Sequence, residues 1–491
     1  MDNGLAARNG GRAGLAALIA ILLLGLGLRL GEAWDGRAPV YDATAYAAIA
    51  ASLDEGKGFT VGAQATQPSS NYSPGLPLLV AGMYEASGGV HERFARVVLA
   101  LIGTLSVLFA YLIGRRLGSL LGRPPHRPRS SEVGVVAVPE APLVSLPAYS
   151  KVNSPIVWSA LVGALAVAVY PALLEYQGMP MGEPLAATLL SGGVLAVLWA
   201  WDGGWARWLL PGALFGALAL VRPEYLAVAA LVAVVVFARE ARLDWRHSLL
   251  HAAVFLGAAL VVIAPWTIRN AAALDRFVPI STGGGQVLFA GTYLPSDGDP
   301  EKVGTEVVER HPELFSPDAA QQLRLEQILA RLAHARYPEL ESDQALSKMG
   351  KEQLWDDISE EPLEYAGFVA AKIGRIWSHG PRDVMREPIW EALHWALIAL
   401  GLLGLAVLAW RRRWEALLLA TIFLAITAIS ALLVASPRRV LVMIPLVAAL
   451  AGVGIAWIST ALRSPSDFRP TPLWRKSDGL TDQRPDSLSR P

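Results

Sequence analysis

Cysteine is absent from this chain, which removes disulfides, thiolate metal sites and thiol nucleophiles from its chemistry. Charge is scarce as well. Only 17% of the 491 residues are charged against 53% hydrophobic, at a mean hydropathy of +0.40, a balance too apolar for a water-soluble enzyme and suited to a bilayer. Lysine plus arginine (42) equals aspartate plus glutamate (42), so no excess of positive charge points to nucleic acid, and no such partner is expected. Metal-site patterns are missing. His247 and His251 sit four apart without the glutamate of an HExxH motif, and neither a DxD nor a cluster of histidines and carboxylates accompanies Asp42. Neither a metal nor a cofactor is therefore expected. "GLGLRLG", Gly25 to Gly31, ends an apolar run with no βαβ pattern around it and reads as helix packing, as do Gly212 and Gly216. No repeat of fixed period is present.

What the chain does contain is a series of long apolar runs. Runs near the roughly 17 to 25 residues that cross hydrocarbon as a helix occur at Ala13 to Leu30, Phe94 to Ile113, Pro155 to Leu174, Pro184 to Trp201, His247 to Trp266, Trp390 to Trp410, Ala416 to Ala435 and Val440 to Ile458. Two shorter runs, Trp208 to Val221 and Tyr225 to Ala238, flank Arg222-Pro223 and read as a tight helical hairpin. The expectation is an all-α polytopic membrane protein with about ten transmembrane helices and helical non-cytoplasmic loops, its first run a retained signal anchor. Arginine-rich segments (Arg8 and Arg12, Arg115 to Lys151, Arg207, Arg239 to Arg246, Arg411 to Arg413, Arg463 to Lys476) fall on one side of this count, which makes that side, with both termini, cytoplasmic.

The organisation read from these runs is a cytoplasmic N-terminus at 1–12, an N-terminal transmembrane module at 13–266, a non-cytoplasmic helical insert at 267–389, C-terminal transmembrane helices at 390–460 and a disordered cytoplasmic tail at 461–491. The first module holds the external loop 31–93 and a proline-rich cytoplasmic linker at 119–154. Within the insert, "SPDAAQQLRLEQILARLAHARYP" starts a helix at Ser316-Pro317 and sets Leu323, Ile328 and Leu332 near one face. "EEPLEYAGFVAAKIGRIWSHGP" reads as a helix able to lie on the membrane surface. "STGGGQVLFAGTY", Ser281 to Tyr293, carries glycines that let backbone N–H groups approach an anion, or form an ordinary turn.

Ionisable residues collect at the non-cytoplasmic helix ends: Arg29, Asp42, Glu183, Arg222, Arg269, Arg438 and Arg439. Each arginine singly is consistent with snorkelling, but the set together with two carboxylates suits group transfer from a lipid-linked phosphate. Guanidinium groups pair with phosphate oxygens and offset the charge that builds on a leaving phosphate. A carboxylate can accept the proton of an incoming hydroxyl, and Asp42 is the base expected here, with Tyr41, Tyr46 and Tyr72 placed to stack on a sugar or donate hydrogen bonds.

The stretches "YDATAYAAIAASLDEGKGF", "NYSPGLPLLVAGMYEASGG", "RFARVVLALIGTLSVLFAYLIGRRL", "YPALLEYQGMPMGEPLAATLL", "ALALVRPEYLAVAAL", "APWTIRNAAALDRFVPISTGGGQVLFAGTY" and "SPRRVLVMIPLVAALAGVG" carry a resemblance in their order and spacing. The chain resembles the GT-C glycosyltransferases, in particular the bacterial group related to protein O-mannosyltransferases and to the aminoarabinose transferase of lipid A. That resemblance implies a multi-pass enzyme of the cell membrane. It would take a sugar from a polyprenyl phosphate on the non-cytoplasmic face, with inversion, and pass it to a hydroxyl of a glycan, lipid or protein acceptor. It implies Asp42 as the catalytic Asp of the first external loop, Glu183 as an acidic position near the cavity, Arg269 with Asn270 as a matching pair at the end of a later span, and Arg438 or Arg439 as the group that reaches the donor phosphate; with Arg222 from the clustered arginines, the expected donor-phosphate set is Arg269, Arg438, Arg439 and Arg222, and Glu183 and Asn270 are expected to bind substrate. Ala43 after Asp42, and Ser73-Pro74-Gly75, depart from the mannosyltransferase pattern. A transporter or flippase of a lipid-linked sugar is the alternative; it would share the spans and the boundary arginines but needs no base.

Overall fold

In a computed structural model of the protein, residues 2–40, 42–60, 68–122, 154–299, 301–378 and 380–463 are described. Tyr41, nearly all of the linker 119–154 and the tail from 464 lie outside the described residues. Among the described residues the regular structure is entirely helical. The membrane part begins with α1 (Asp2–Asp35), α2 (Asp42–Asp54), α3 (Gly75–Ser87), α4 (Glu92–Gly118), α5 (Ser154–Ala168), α6 (Pro171–Glu175), α7 (Gly182–Ala200), α8 (Leu209–Val221) and α9 (Tyr225–Leu274). The insert follows as α10 (Gly284–Thr292), α11 (Val303–Arg310), α12 (Ala319–Gln322), α13 (Leu325–Arg336), α14 (Ser342–Glu360) and α15 (Pro362–Ser378). The last helices are α16 (Pro388–Trp410), α17 (Trp414–Leu432) and α18 (Arg438–Arg463).

Among the described residues seven helices are long and apolar enough to cross a membrane, eight if α5 and its continuation through Gly178 form one bent span, against the ten expected. The difference lies in the hairpin. The helical run Trp205–Val221 is short for a crossing, and the first part of α9 carries Arg239 and Glu240 before it breaks at Asp244 (φ −153°, ψ 101°). There Asp244 accepts the backbone N–H of Arg246 at 2.9 Å and starts the second segment as an N-cap. The 50° bend after α5 has a separate cause. Pro171 starts α6 and prevents α5 from running on, and the carbonyls left over at the end of α5 need donors. Arg29, completely buried in α1, supplies them: its guanidinium donates to Val167 (3.1 Å) and Ala168 (3.2 Å). Arg29 is thus a helix cap in the described fold and not a member of the polar site.

The bundle is built around α18, which is buried over 83% of its apolar window and packs on α16, α5, α4 and α7. Gly212 and Gly216 serve close packing as the sequence indicates: a Cβ at either would come within 2.2 Å and 2.6 Å of the α9 carbonyls of Phe255 and Ala259. The arginine-rich loops meet at one end of the bundle, where Arg411 donates to Leu121 (2.5 Å), Arg413 to Leu120 (3.2 Å) and Arg116 pairs with Asp202.

The insert has a hydrophobic core of its own, formed by Phe289, Val303, Val307, Phe315, Ile328, Leu329, Leu332 and Leu346 among others. Its "SPDAAQQ" stretch is divided into α12 and α13, with Ile328 and Leu332 buried and Leu323 extended between the two helices. Helix α15 packs against α14 and α17, burying Tyr365, Phe368 and Ile376, and Trp377 donates to Thr427 at 3.2 Å. Part of its apolar surface is thus covered by protein, while Leu363 and Ile373 remain exposed.

Candidate active site at four helix ends

Four helix ends converge at the end of the bundle opposite the arginine-rich loops. Asp42 is the first residue of the alanine-rich α2, and Glu183 lies in the first turn of α7, so both acids sit where the helix dipole favours negative charge. Arg222 ends α8 in an extended conformation (φ −142°, ψ 99°) imposed by Pro223 after it. Arg438 opens α18 just past Ser436-Pro437. A cation at a helix N-terminus opposes the dipole, so Arg438 depends on the acids around it.

Those acids are in direct contact. Arg438 donates from Nη2 to Asp42 Oδ2 (2.9 Å) and from Nε to Glu183 Oε1 (2.6 Å), and Arg222 Nη2 donates to the same Glu183 oxygen (2.6 Å). Glu183 is fully buried, whereas the Asp42 side chain is 42% exposed, so the network opens to water at its Asp42 end. Glu183 Oε2 and Arg222 Nε are buried with no hydrogen-bond partner. Arg222 also reaches Glu224 at 3.5 Å. Burial alone would raise the Glu224 carboxyl, but Arg439 and Arg222 outweigh it and hold the group below the usual carboxylate range. Glu224 escaped the sequence reading although it stands two residues after Arg222 in "RPEY".

Tyr46 sits one helical turn from Asp42, and its ring meets that of Tyr72 edge to face at 5.9 Å. Burial and the Asp42 charge push the Tyr46 hydroxyl well above the ordinary phenol range, so it remains a neutral donor. Tyr72 donates to Glu326 of α13 at 2.8 Å and thereby joins the external loop to the insert. Tyr41 lies outside the described residues.

The expected residues do not all meet. Arg438 and Arg222 join Asp42 and Glu183, and Arg439 turns toward Glu224 and lies 3.5 Å from Ser430 Oγ. Arg269 is engaged elsewhere: it donates to Ser69 O (2.9 Å) and Asn270 Oδ1 (3.0 Å) and stacks over Trp266 at 4.8 Å. Asn270 donates to Val278 and Ile280. This pair fastens the first loop and the chain after α9 to one another and takes no part in the ionic network. The glycines of "STGGGQ" are occupied in the same way. Gly283, at φ +79°, lies against Asn71, and Gly285 donates to Asp343 Oδ1 at 2.9 Å. Gly283 closes the insert onto the loop and Gly285 joins α10 to α14, so these two glycines are not free to hold an anion. Among the described residues no group of three or more histidine and carboxylate side chains is arranged to hold a metal ion.

No protein-family model and no curated protein matches the chain. Among solved structures it is similar to the oligosaccharyltransferase AglB of Archaeoglobus fulgidus in complex with an inhibitory peptide and a dolichol-phosphate, at 14% identity over 93% of this chain and 52% of that one, with a TM-score of 0.50. The apo form of the Archaeoglobus fulgidus enzyme gives 13% identity, 92% and 52% coverage, and the same TM-score of 0.50. The chain shares the helical fold of the matched part of that enzyme. It spans about half the length of the oligosaccharyltransferase that shares this fold. ArnT from Cupriavidus metallidurans bound to undecaprenyl phosphate aligns over 91% of this chain and 79% of that one at 14% identity, with a TM-score of 0.39, and the fold assignment does not depend on it. Within this fold the polar network lies where α2, α7, α8 and α18 end together.

Proposed function

We propose that the protein is an inverting glycosyltransferase of the cell membrane that moves a sugar from a polyprenyl-phosphate donor to an acceptor hydroxyl on the non-cytoplasmic side. The observation that carries this reading is the contact of Asp42 with Arg438, inside a network that also holds Glu183 and Arg222. The reaction needs a base and a phosphate-binding cation on opposite faces of the reacting carbon; Asp42 and Arg438 share the water-exposed end of a buried ionic chain, and their direct contact has to open for a donor to enter between them. The dolichol-phosphate bound in the oligosaccharyltransferase that shares the fold agrees with a polyprenyl carrier.

The steps follow from charge. The acceptor oxygen attacks the anomeric carbon from the face opposite the phosphate, and its proton passes to the Asp42 carboxylate. The bond between the anomeric carbon and the phosphate oxygen breaks, its electron pair stays on that oxygen, and the lipid phosphate gains one negative charge. Arg438, with Arg222 and Arg439 behind it, is the group placed to meet that charge. Glu183 holds the two guanidinium groups in place and needs no proton transfer. Tyr46 and Tyr72 border the Asp42 end and suit contact with a sugar ring.

The test incubates purified protein with a panel of polyprenyl-phosphate sugars and follows release of the lipid phosphate. Asp42→Asn keeps the side-chain shape and removes the base, so release falls by about 10²- to 10⁴-fold while lipid binding persists. A flippase would relocate the lipid and leave the sugar-phosphate bond intact in wild type and variant alike. Undiminished release by Asp42→Asn would take Asp42 out of the mechanism.

A further inference from the structure

The last turn of α1 and the first turn of α4 border an open cleft of about 580 Å³ that the reaction above does not use. Trp34 and Phe94 supply its large apolar walls, and His91, Glu92, Arg93 and Arg96 its polar ones. Most of these polar groups are already engaged. Arg96 donates to Glu92 Oε2 at 3.2 Å and to the carbonyl of Ala33 at 2.9 Å, which ties α4 to the end of α1. His91 donates from Nδ1 to the carbonyl of Gly89 at 3.0 Å. Arg93 has no such partner. Among the described residues its guanidinium makes no hydrogen bond and no ion pair, and it rests over the Trp34 ring, 4.6 Å from the ring centre. That contact uses the face of the ring and none of the five N–H donors. Asp35, the next acid along α1, does not line the cleft.

Both helices are long and apolar enough to cross a membrane, over Arg12–Asp35 and Glu92–Gly122, so the cleft stands where they leave the hydrocarbon. Trp34 and Phe94 are exposed there, as aromatic side chains at a bilayer boundary are. Away from the cleft each helix turns an apolar stripe outward. On α4, Leu101 and Leu105 follow Phe94 on the same face, and both are exposed. On α1, Leu23 shares the face of Trp34 and is exposed, and Gly27 and Gly31 between them have open space where a Cβ would stand. These two glycines do not serve the helix packing expected of "GLGLRLG"; Gly25 does, with a Cβ position 3.1 Å from Ala168. From Phe94 to Leu105, and from Trp34 back to Leu23, a helix rises about 16 Å, close to the ~15 Å of hydrocarbon in one leaflet. The stripes therefore run from the headgroup level to the middle of a bilayer.

We propose that this cleft seats the phosphate of a phospholipid from the leaflet at this end of the bundle, with Arg93 as its ligand and the two apolar stripes as the track of its acyl chains. The site is separate from the ionic network at Asp42 and does not depend on the transferase reading. A headgroup phosphodiester carries one negative charge and two free oxygens, which match the charge and the paired N–H groups of a guanidinium. Trp34 holds that guanidinium in place beforehand, so less side-chain freedom is lost when the headgroup arrives. A phospholipid meets both the cation and the stripes, whereas free phosphate would meet Arg93 alone.

The experiment titrates lipid into delipidated full-length protein in detergent and follows bound lipid by native mass spectrometry. The probe is dioleoyl phosphatidylglycerol, and dioleoylglycerol, with the same chains and no phosphate, is the control. Wild type is expected to bind phosphatidylglycerol about tenfold more tightly than dioleoylglycerol. Arg93→Gln brings the phospholipid down to the level of the control. It leaves the thermal midpoint of the lipid-free protein unchanged, because Arg93 is exposed and bonds to no other described residue. Trp34→Leu removes the support under the guanidinium and weakens phosphatidylglycerol about two- to fivefold. Equal binding of the two lipids by wild type, or equal binding of phosphatidylglycerol by wild type and Arg93→Gln, would overturn the proposal. So would inorganic phosphate that raises the thermal midpoint of wild type as much as the phospholipid does, which marks a site for a free anion.

Discussion

Replacing Glu183 with glutamine tests the centre of the network. The substitution preserves volume and removes one charge from a side chain with no exposure, whose Oε1 accepts two guanidinium hydrogen bonds at 2.6 Å each. Arg222 and Arg438 are themselves only 18% and 20% exposed, so water does little to replace the lost carboxylate. Breaking a buried pair by removing one partner costs about 3 to 5 kcal/mol because the remaining charge stays uncompensated. Here two cations are left, but Asp42 and Glu224 still face them, and the lower end, about 3 kcal/mol, is the figure expected. The assay is chemical or thermal unfolding in detergent of wild type, Glu183→Gln, Arg222→Met and the double variant. Removing both members of the pair is expected to recover about half or more of the single-variant loss, since the buried charges again balance. Stability of Glu183→Gln within about 0.5 kcal/mol of wild type would refute the reasoning, because surface-like substitutions behave that way and buried ionic links do not.

Two further predictions address neighbouring parts. Gly291→Ala places a Cβ 2.3 Å from the Leu433 backbone, a contact that no flexible side chain can relieve; a loss of about 1 to 3 kcal/mol, with faster hydrogen exchange in α10 and in 433–440, is the expected result, and unchanged exchange would count against the junction. Glu224, held below the ordinary carboxylate range by Arg439 and Arg222 against burial, contributes stability that is complete above the unfolded value of about 4.3 and is lost as pH falls through its folded value. Glu224→Gln should therefore flatten the acid side of the stability profile, and an identical acid limb in wild type and variant would contradict the assignment.

The comparison of sequence with structure turns on particular residues. Asp42, Glu183, Arg222 and Arg438 stand at helix ends in the primary sequence, and the same helix ends bring them within hydrogen-bond distance. Arg29 and Arg269 have the same appearance in the sequence, yet one caps α5 and the other ties two loops together through backbone carbonyls. A boundary arginine carries no mark of whether its partner is a carbonyl or a carboxylate, since for Arg29, Arg269 and Arg438 a deciding partner lies more than a hundred residues away. Lys372 was visible as a lysine among alanines and an isoleucine, but amphipathic patterning assigns such a residue to the polar face, and only its packing against Gly291 and Gly298 buries it.

The linear chain by itself determined the helical class, the places of the main apolar segments and the end of the bundle at which ionisable groups gather, because backbone groups in hydrocarbon must bond within their own segment and charge must stay at its ends. Tertiary structure alone decided how many runs are long enough to cross, that the glycines at 283–285 close a joint, and which cations reach Asp42. Those outcomes depend on how helices far apart in sequence pack, and packing sets the distance between two charges in a way that no local pattern encodes.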